Sequence, residues 1–394
     1  MTEKSKHPSS LSGDNHHIVL YDSDEDLPIV VFWGAKDLAS EQFNFFQMGR
    51  ELKAHRFFFN NGENHWYQHG VPSLANTFDK TVEILQQWKK ALSASEIVFI
   101  GTSMGGYAAL QYGEALNARV CAFSVDAILN APLSQSSQHY TGTTPPTCED
   151  LCNLIKSNGE RMFVVVGERN IPDLHSAASF RKETNVNVIS VVGVGHYLPS
   201  YLSRQSRLGP LVRSFIQTGQ LDLTEYVGNA LDSGDYVQLI FDAALEAKKP
   251  DADWALVKKQ LTKALKLYPG GEAAQILLGE ALLKLGENSE AVDILSQAII
   301  GTVDDFDTLI WLSAALRKIG ALARSKAICY FILGKRPGNL KALSTLSLTY
   351  AAEKDYNNAC KYMKRALAIY PKHPTYMKHI EKFEREMKKK INSK

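Results

Sequence analysis

Gly101-Thr102-Ser103-Met104-Gly105 directly follows the apolar run Ile97–Ile100. A serine between glycines, at the end of a predicted strand and the start of a predicted helix, sits on a turn tight enough to present its hydroxyl. The chemistry this suggests is attack on an acyl carbonyl, giving an acyl-serine intermediate. Serine is a weak nucleophile and needs a base within hydrogen-bond reach. Downstream of Ser103 the best-placed histidine is His196, in Val194-Gly195-His196 after the run Val186–Val192. His175 and His139 are weaker candidates, and His175 would have to come from the same loop as the acid. With the order serine, acid, histidine, Asp173 is the first choice of acid, Glu168 the second and Asp126 the third. Asn170 stands where an aspartate would be expected and cannot carry the charge that stabilises an imidazolium. Asp173 also has a competing use as a helix cap before Leu174–Phe180.

The developing oxyanion needs two backbone N–H donors. Met104 supplies one from a helix N-terminus. The other is expected from the loop after Ile29–Phe32, at Gly34 or Ala35. The segment Phe57–Tyr67 runs from a predicted strand into a polar, aromatic loop. Asn60, Asn61, Trp66 and Tyr67 are candidate substrate-binding residues there, lining a sugar or acyl pocket with their rings stacked on the ligand. The competing use of that loop is a rigid turn whose asparagines bond their own backbone. Residues 127–160 are a candidate lid over the site, with a turn-rich stretch at Thr141–Pro146.

These groups need a scaffold. Short apolar runs recur at Ile18–Tyr21, Pro28–Phe32, Arg56–Phe59, Ile97–Ile100, Val120–Phe123, Met162–Val166 and Val186–Val192. They read as buried strands of a mostly parallel sheet. Helical patterns over Thr81–Leu92 and Gly105–Leu116 lie between them, which predicts an α/β layer fold. We read residues 1–17 as a flexible arm, 18–218 as the α/β domain and 219–237 as a partly packed junction. The elbow, the segment Phe58-Phe59-Asn60-Asn61…Trp66-Tyr67 and Gly195-His196 give residues 18–218 a resemblance to the α/β-hydrolases. Within them the segment resembles a bacterial group similar to the hydrolase-fold component of the accessory Sec secretion system and to hydrolases of surface-glycan gene clusters. The resemblance implies a Ser-Asp-His site and an O-acetylated or otherwise acylated glycan as substrate.

The C-terminal half has a period of 34: Ala264, Ala298, Ile332 and Ala366 recur at that spacing, as do Pro269, Val303, Pro337 and Pro371. So do Val257, Ala291, Ser325 and Ala359, seven residues before the first set, and Gly279, Ser313 and Ser347 at the eighth position of the last three units. This resembles the tetratricopeptide repeat (TPR), a helix–turn–helix unit. Units are expected at 238–271, 272–305, 306–339 and 340–373, with a capping helix from about 374 to 390. Stacked units give a concave surface suited to a protein partner or to self-association.

Of the chain's 394 residues, 45% are hydrophobic and 22% charged, and the formal net charge is +2. The composition is globular and gives no bulk reason for nucleic acid or an anionic membrane as partner. The basic stretch Lys382–Lys394 reads as a solvated face. No secretory signal or membrane-spanning run is apparent. Five cysteines of irregular spacing fit a reduced, cytoplasmic protein. Cys148-x-x-x-Cys152 has no second ligand pair near it, so no metal and no organic cofactor is called for. The leading expectation is a serine esterase or deacylase with a TPR interaction module. The alternatives are an inactive hydrolase-fold scaffold or adaptor acting through its repeats, and acyl transfer in place of hydrolysis.

Overall fold

In the computed structural model, residues 13–22, 26–299 and 305–392 are described. The chain divides into two compact units, residues 1–241 and 242–394.

The first unit is built on a seven-stranded mixed sheet: β1 (His16–Val19), β2 (Ile29–Trp33), β3 (His55–Phe59), β4 (Ile97–Thr102), β5 (Arg119–Phe123), β6 (Met162–Gly167) and β7 (Asn187–Val191). All seven apolar runs fall on these strands. The spatial order is β1-β3-β2-β4-β5-β6-β7, with β1 antiparallel to β3 and the other pairs parallel. The helices before the repeats are α1 (Phe46–Gly49), α2 (Phe78–Ala91), α3 (Met104–Leu116), α4 (Gln135–His139), α5 (Leu151–Leu154), α6 (Ile171–Glu183), α7 (Leu198–Arg204) and α8 (Leu208–Thr218).

Central strands buried on both faces are apolar throughout rather than alternating. On one face Val30, Phe32, Phe58, Ile100, Phe123 and Val165 share a core with Leu202 of α7 and with Leu211 and Phe215 of α8. On the other, Trp88 of α2 meets Phe57 at 5.1 Å and Tyr112 of α3 stacks on Trp33 at 4.7 Å. Between β2 and β4 the strand order reverses, because the chain continues from β2 outward to β3 but from β4 the other way. Ligands of open α/β sheets bind at the carboxyl ends of strands at such a switch point. Here Trp33 and Thr102 end the two strands.

Two boundaries differ from the expectation. Residues 13–17 are not an arm: His16 begins β1, which pairs with β3 and covers its edge. Residues 1–12, the rest of the expected arm, lie outside the described residues. At the other edge of the sheet the chain past 218 is still needed. The Val192 N–H donates to Tyr226 O at 3.0 Å and the Gly228 N–H to Ser190 O at 2.9 Å, so residues 226–228 run along β7.

Helices α9 (Tyr236–Ala247) to α16 (Tyr356–Ile369) follow, through α10 (Trp254–Leu267), α11 (Glu272–Leu285), α12 (Asn288–Ala298), α13 (Phe306–Lys318), α14 (Leu322–Lys335) and α15 (Leu340–Ala352), and α11 packs on α12, α13 on α14 and α15 on α16. α17 (Pro374–Asn392) follows. These three pairs lie inside the spans 272–305, 306–339 and 340–373, whereas α9 begins at Tyr236, before the expected start of the first unit at 238. Val303 lies outside the described residues. Ala264, Ala298, Ile332 and Ala366 are fully buried, as are Val257, Ala291, Ser325 and Ala359. The eighth position must be small because the second helix crosses there: a Cβ on Gly279 would lie 2.4 Å from Leu295. The Ser313 hydroxyl bonds Ser325 O at 3.0 Å, and that of Ser347 bonds Ala359 O at 2.6 Å. Among the described residues no helix is long and apolar enough to cross a membrane.

Candidate active site

Ser103 stands between β4 and α3 at φ 55° and ψ −121°, a conformation costly for a residue with a side chain. The flanking glycines make the turn possible. A Cβ on Gly101 would sit 2.1 Å from Gly105 O, and one on Gly105 would sit 2.2 Å from Trp33 O. The Ser103 N–H is anchored on Phe123 O at 2.8 Å.

Three separate segments bring the titratable groups together. His196 comes from the loop between β7 and α7, with Nε2 3.1 Å from Ser103 Oγ. Its Nδ1 lies 3.0 Å from both carboxylate oxygens of Asp173. Asp173 is 1% exposed, in the first turn of α6. Asn170 takes the N-cap, its Oδ1 accepting the Asp173 N–H at 2.9 Å. Capping therefore falls to Asn170, which leaves the Asp173 carboxylate for the histidine. Burial, the largest single influence, and more weakly Lys36 oppose the charged form of His196, but the charge and hydrogen bond of Asp173 together with the charge of Asp126 prevail, and the imidazole's pKa is raised.

The other candidate acids are engaged elsewhere. Glu168 is buried, accepting from the Ser190 hydroxyl at 2.7 Å and the Ala230 N–H at 2.9 Å. Asp126 accepts the Ser136 N–H at 2.8 Å, and burial raises the pKa of its carboxyl. His175 stacks on Phe241 at 3.6 Å. His139 ends α4.

Of the oxyanion candidates, Met104 opens α3 beside the nucleophile. Gly34 is corrected: its N–H is spent on Phe59 O at 2.8 Å, continuing the β2–β3 pairing. The Ala35 N–H is taken by a side chain, Asn44 Oδ1, at 2.6 Å.

The loop expected to bind substrate is also corrected. Asn60, Asn61, Trp66 and Tyr67 are each at most 2% exposed. Asn60 Nδ2 donates to Ala39 O and Gln42 O, and Asn61 Oδ1 accepts the His65 N–H. The Tyr67 hydroxyl donates to Gly34 O and Phe59 O. Burial raises the Tyr67 pKa far above the ordinary phenol range. These residues hold up the site from beneath and do not line it.

A cavity of about 1340 Å³ opens over Ser103 and His196. Its walls come from residues 35–48, after β2, and from α7 with the residues around it, including Tyr197, Pro199 and Arg204. The candidate lid contributes Gln135. Its turn-rich stretch Thr141–Pro146 is tied down, with the Thr141 N–H on Asn64 O at 3.1 Å and the Thr144 hydroxyl 2.6 Å from His69 Nε2. All five cysteines are buried free thiols. Sequence reasoning missed the wall of residues 36–48. Its signal was the aromatic cluster Phe43-Asn44-Phe45-Phe46, shortly after the oxyanion loop.

Among known proteins, residues 340–373 match the tetratricopeptide repeat family. A comparison with curated proteins finds no match. Similar solved structures include the MamA protein, at 14% identity over 39% of this chain and 82% of that one, with a TM-score of 0.34. Another is YrrB, described as a TPR protein with an unusual peptide-binding site: 20% identity over 47% and 88% of the two chains, TM-score 0.34. A third is the Sgt2 TPR domain from Aspergillus fumigatus, at 19% identity over 31% and 82%, TM-score 0.29. The family match falls on the pair α15–α16, within the helical repeat region that follows the mixed-sheet unit.

Proposed function

We propose that the first unit is a serine acyl-ester hydrolase of the α/β-hydrolase type and that the repeats recruit a protein partner. The observation that carries this reading is the hydrogen-bonded chain Ser103 Oγ, His196 Nε2, His196 Nδ1, Asp173 carboxylate at the switch point of the sheet. In this mechanism Ser103 Oγ attacks the carbonyl carbon and its proton passes to His196 Nε2. Asp173 holds the imidazole in the tautomer with Nδ1 protonated and stabilises the imidazolium. The tetrahedral oxyanion is bound by the N–H of Met104 and, once it leaves Asn44 Oδ1, by that of Ala35. The C–O bond to the leaving alcohol breaks as the alcohol takes the proton from Nε2. Water then gives a proton to the same nitrogen and attacks the acyl carbon; the bond to Ser103 Oγ breaks as Oγ takes that proton back, and the acid is released. An acceptor hydroxyl in place of water would make the reaction an acyl transfer. No metal or organic cofactor enters these steps, and the free thiols fit a reducing, cytoplasmic setting.

Labelling by a fluorophosphonate, with mass mapping of the adduct, tests the reading. The expected result is an adduct at Ser103 that is absent in Ser103→Ala and His196→Ala. A folded protein that does not label refutes it.

A second reading rests on a different observation, the tetratricopeptide match at residues 340–373. In it the chain is an adaptor that works through its repeats, and the first unit has no catalytic role. The two readings part at one variant: an adaptor keeps its cellular role in His196→Ala, and an esterase loses it.

A further inference from the structure

The proposed triad leaves the chemistry of one cavity wall unused. Phe43, Phe45, Phe46 and Met48 line it while half-buried, and they also pack against the sheet core. The amide and acidic side chains of the same wall, Glu41, Gln42 and Gln47, are exposed. The four apolar side chains thus lie inward of a polar rim, with Lys36 and Asn44 as half-buried polar groups beside Ala35, a layout suited to an apolar group next to a polar reacting centre. The loop that would have offered asparagines and rings to a sugar is folded inside the protein instead.

The wall also touches the reacting centre. Asn44, between two of its rings, holds the Ala35 N–H at 2.6 Å. An incoming carbonyl oxygen has to take that N–H away from Asn44 Oδ1. The backbone that presents Asn44 is under strain: the next residue, Phe45, has φ 61°, and Asp37 and Glu41 earlier in the loop have φ 59° and 63°. Strain of this sort in bulky residues collects where a segment has two arrangements to choose between.

We infer that this wall is the acyl subsite, that it takes a bulky apolar acyl group, and that packing of this group on the rings beside Asn44 withdraws its carboxamide and frees the second oxyanion donor. The inference rests on the serine-hydrolase reading and adds to it a substrate class and a positioning residue. A short acyl group reaches the serine but leaves Asn44 bonded to Ala35. A glycan, where one is present, then belongs on the leaving-group side.

The test compares p-nitrophenyl acetate with p-nitrophenyl octanoate, and ethyl with decyl fluorophosphonate, on the full-length protein. The expected kcat/KM for octanoate, and the rate of Ser103 labelling by the decyl probe, exceed those for the short partners by about tenfold or more. Asn44→Ala raises turnover of the acetate, acting on kcat rather than KM, and so narrows the gap. Phe43→Ala narrows it from the other side, by lowering the octanoate rate. Equal rates with short and long groups in a protein that labels at Ser103 overturn the inference and leave the esterase reading standing. A Ser103 that reacts with no probe overturns both. The deciding comparison uses the unaltered chain, so misfolding of a variant does not blur it.

Discussion

His196 is held between two opposed forces, and its titration reports which one acts. Burial disfavours the imidazolium and Asp173 favours it, with a net upward shift. A general base works only when deprotonated, so the acid limb of kcat/KM is expected above the ordinary histidine value of about 6.5. In Asp173→Asn burial is left with less opposition, so the limb moves to lower pH, while kcat falls about ten-thousand-fold. A pH–rate profile of the two proteins checks both. Asp126→Asn keeps the Asp173–His196 bond, so labelling of Ser103 should persist. That variant separates the acid in contact with His196 from the one nearby. Ser103, His196 and Asp173 were legible in the sequence because each follows a strand whose apolar run is unmistakable. Asn60, Asn61, Trp66 and Tyr67 were misplaced because residue types do not say which way a loop faces. Trp66 and Tyr67 take left-handed φ values of 50° and 54°, and that turn puts both rings in the core. The Asn44–Ala35 contact depends on three further left-handed residues in a loop, which no pattern of spacing announces.

Helix starts decide how the site is assembled. Asn170 caps α6 so that Asp173 stands free one turn in. Asn170→Ala is expected to cost about 1 kcal/mol of stability and to lower kcat, because the backbone carrying Asp173 loses its anchor. Asn170→Asp, which caps equally well, should keep the stability; thermal unfolding and steady-state rates compare the pair. At α3 the limit is space. In Gly105→Ala the added methyl meets the backbone of Trp33 and cannot be absorbed by a side-chain rotation. A loss of about 2 kcal/mol or more, with Ser103 labelling abolished, is the expected outcome. The repeat helices were legible for a related reason. Their period comes from close crossings that admit only small residues, as Gly279 against Leu295 shows. What the sequence did not reveal was the register of β1, expected over Ile18–Tyr21 but starting at His16, since the two histidines that pair with β3 carry no apolar signal.

At the scale of the whole molecule, the end of the first unit is set by what covers β7. Residues 226–228 bond along that strand, and the Ala230 N–H reaches the buried Glu168 carboxylate. A chain cut after Thr218 exposes a strand edge and strips Glu168 of a donor, two faults that favour aggregation and loss of stability. A chain cut after Phe241 keeps both bonds. Size-exclusion chromatography should find the longer fragment monodisperse and labelled at Ser103 at the full-length rate, and the shorter one aggregated. The expected boundary at 218 left residues 226–230 in the junction 219–237. The real requirement is a stretch of irregular backbone, which has no periodicity to read.

That same stretch governs how the protein is made. During synthesis Ser103 leaves the ribosome first, then Asp173 and then His196, but a nascent chain paused anywhere between β7 and Tyr226 carries an open strand that any neighbouring nascent chain can pair with. The dangerous interval closes when residues 226–230 emerge. Codons that stall synthesis after β7 has emerged from the ribosome but before residues 226–230 have should therefore raise aggregation in the cell, whereas a stall after residues 226–230 are out should not.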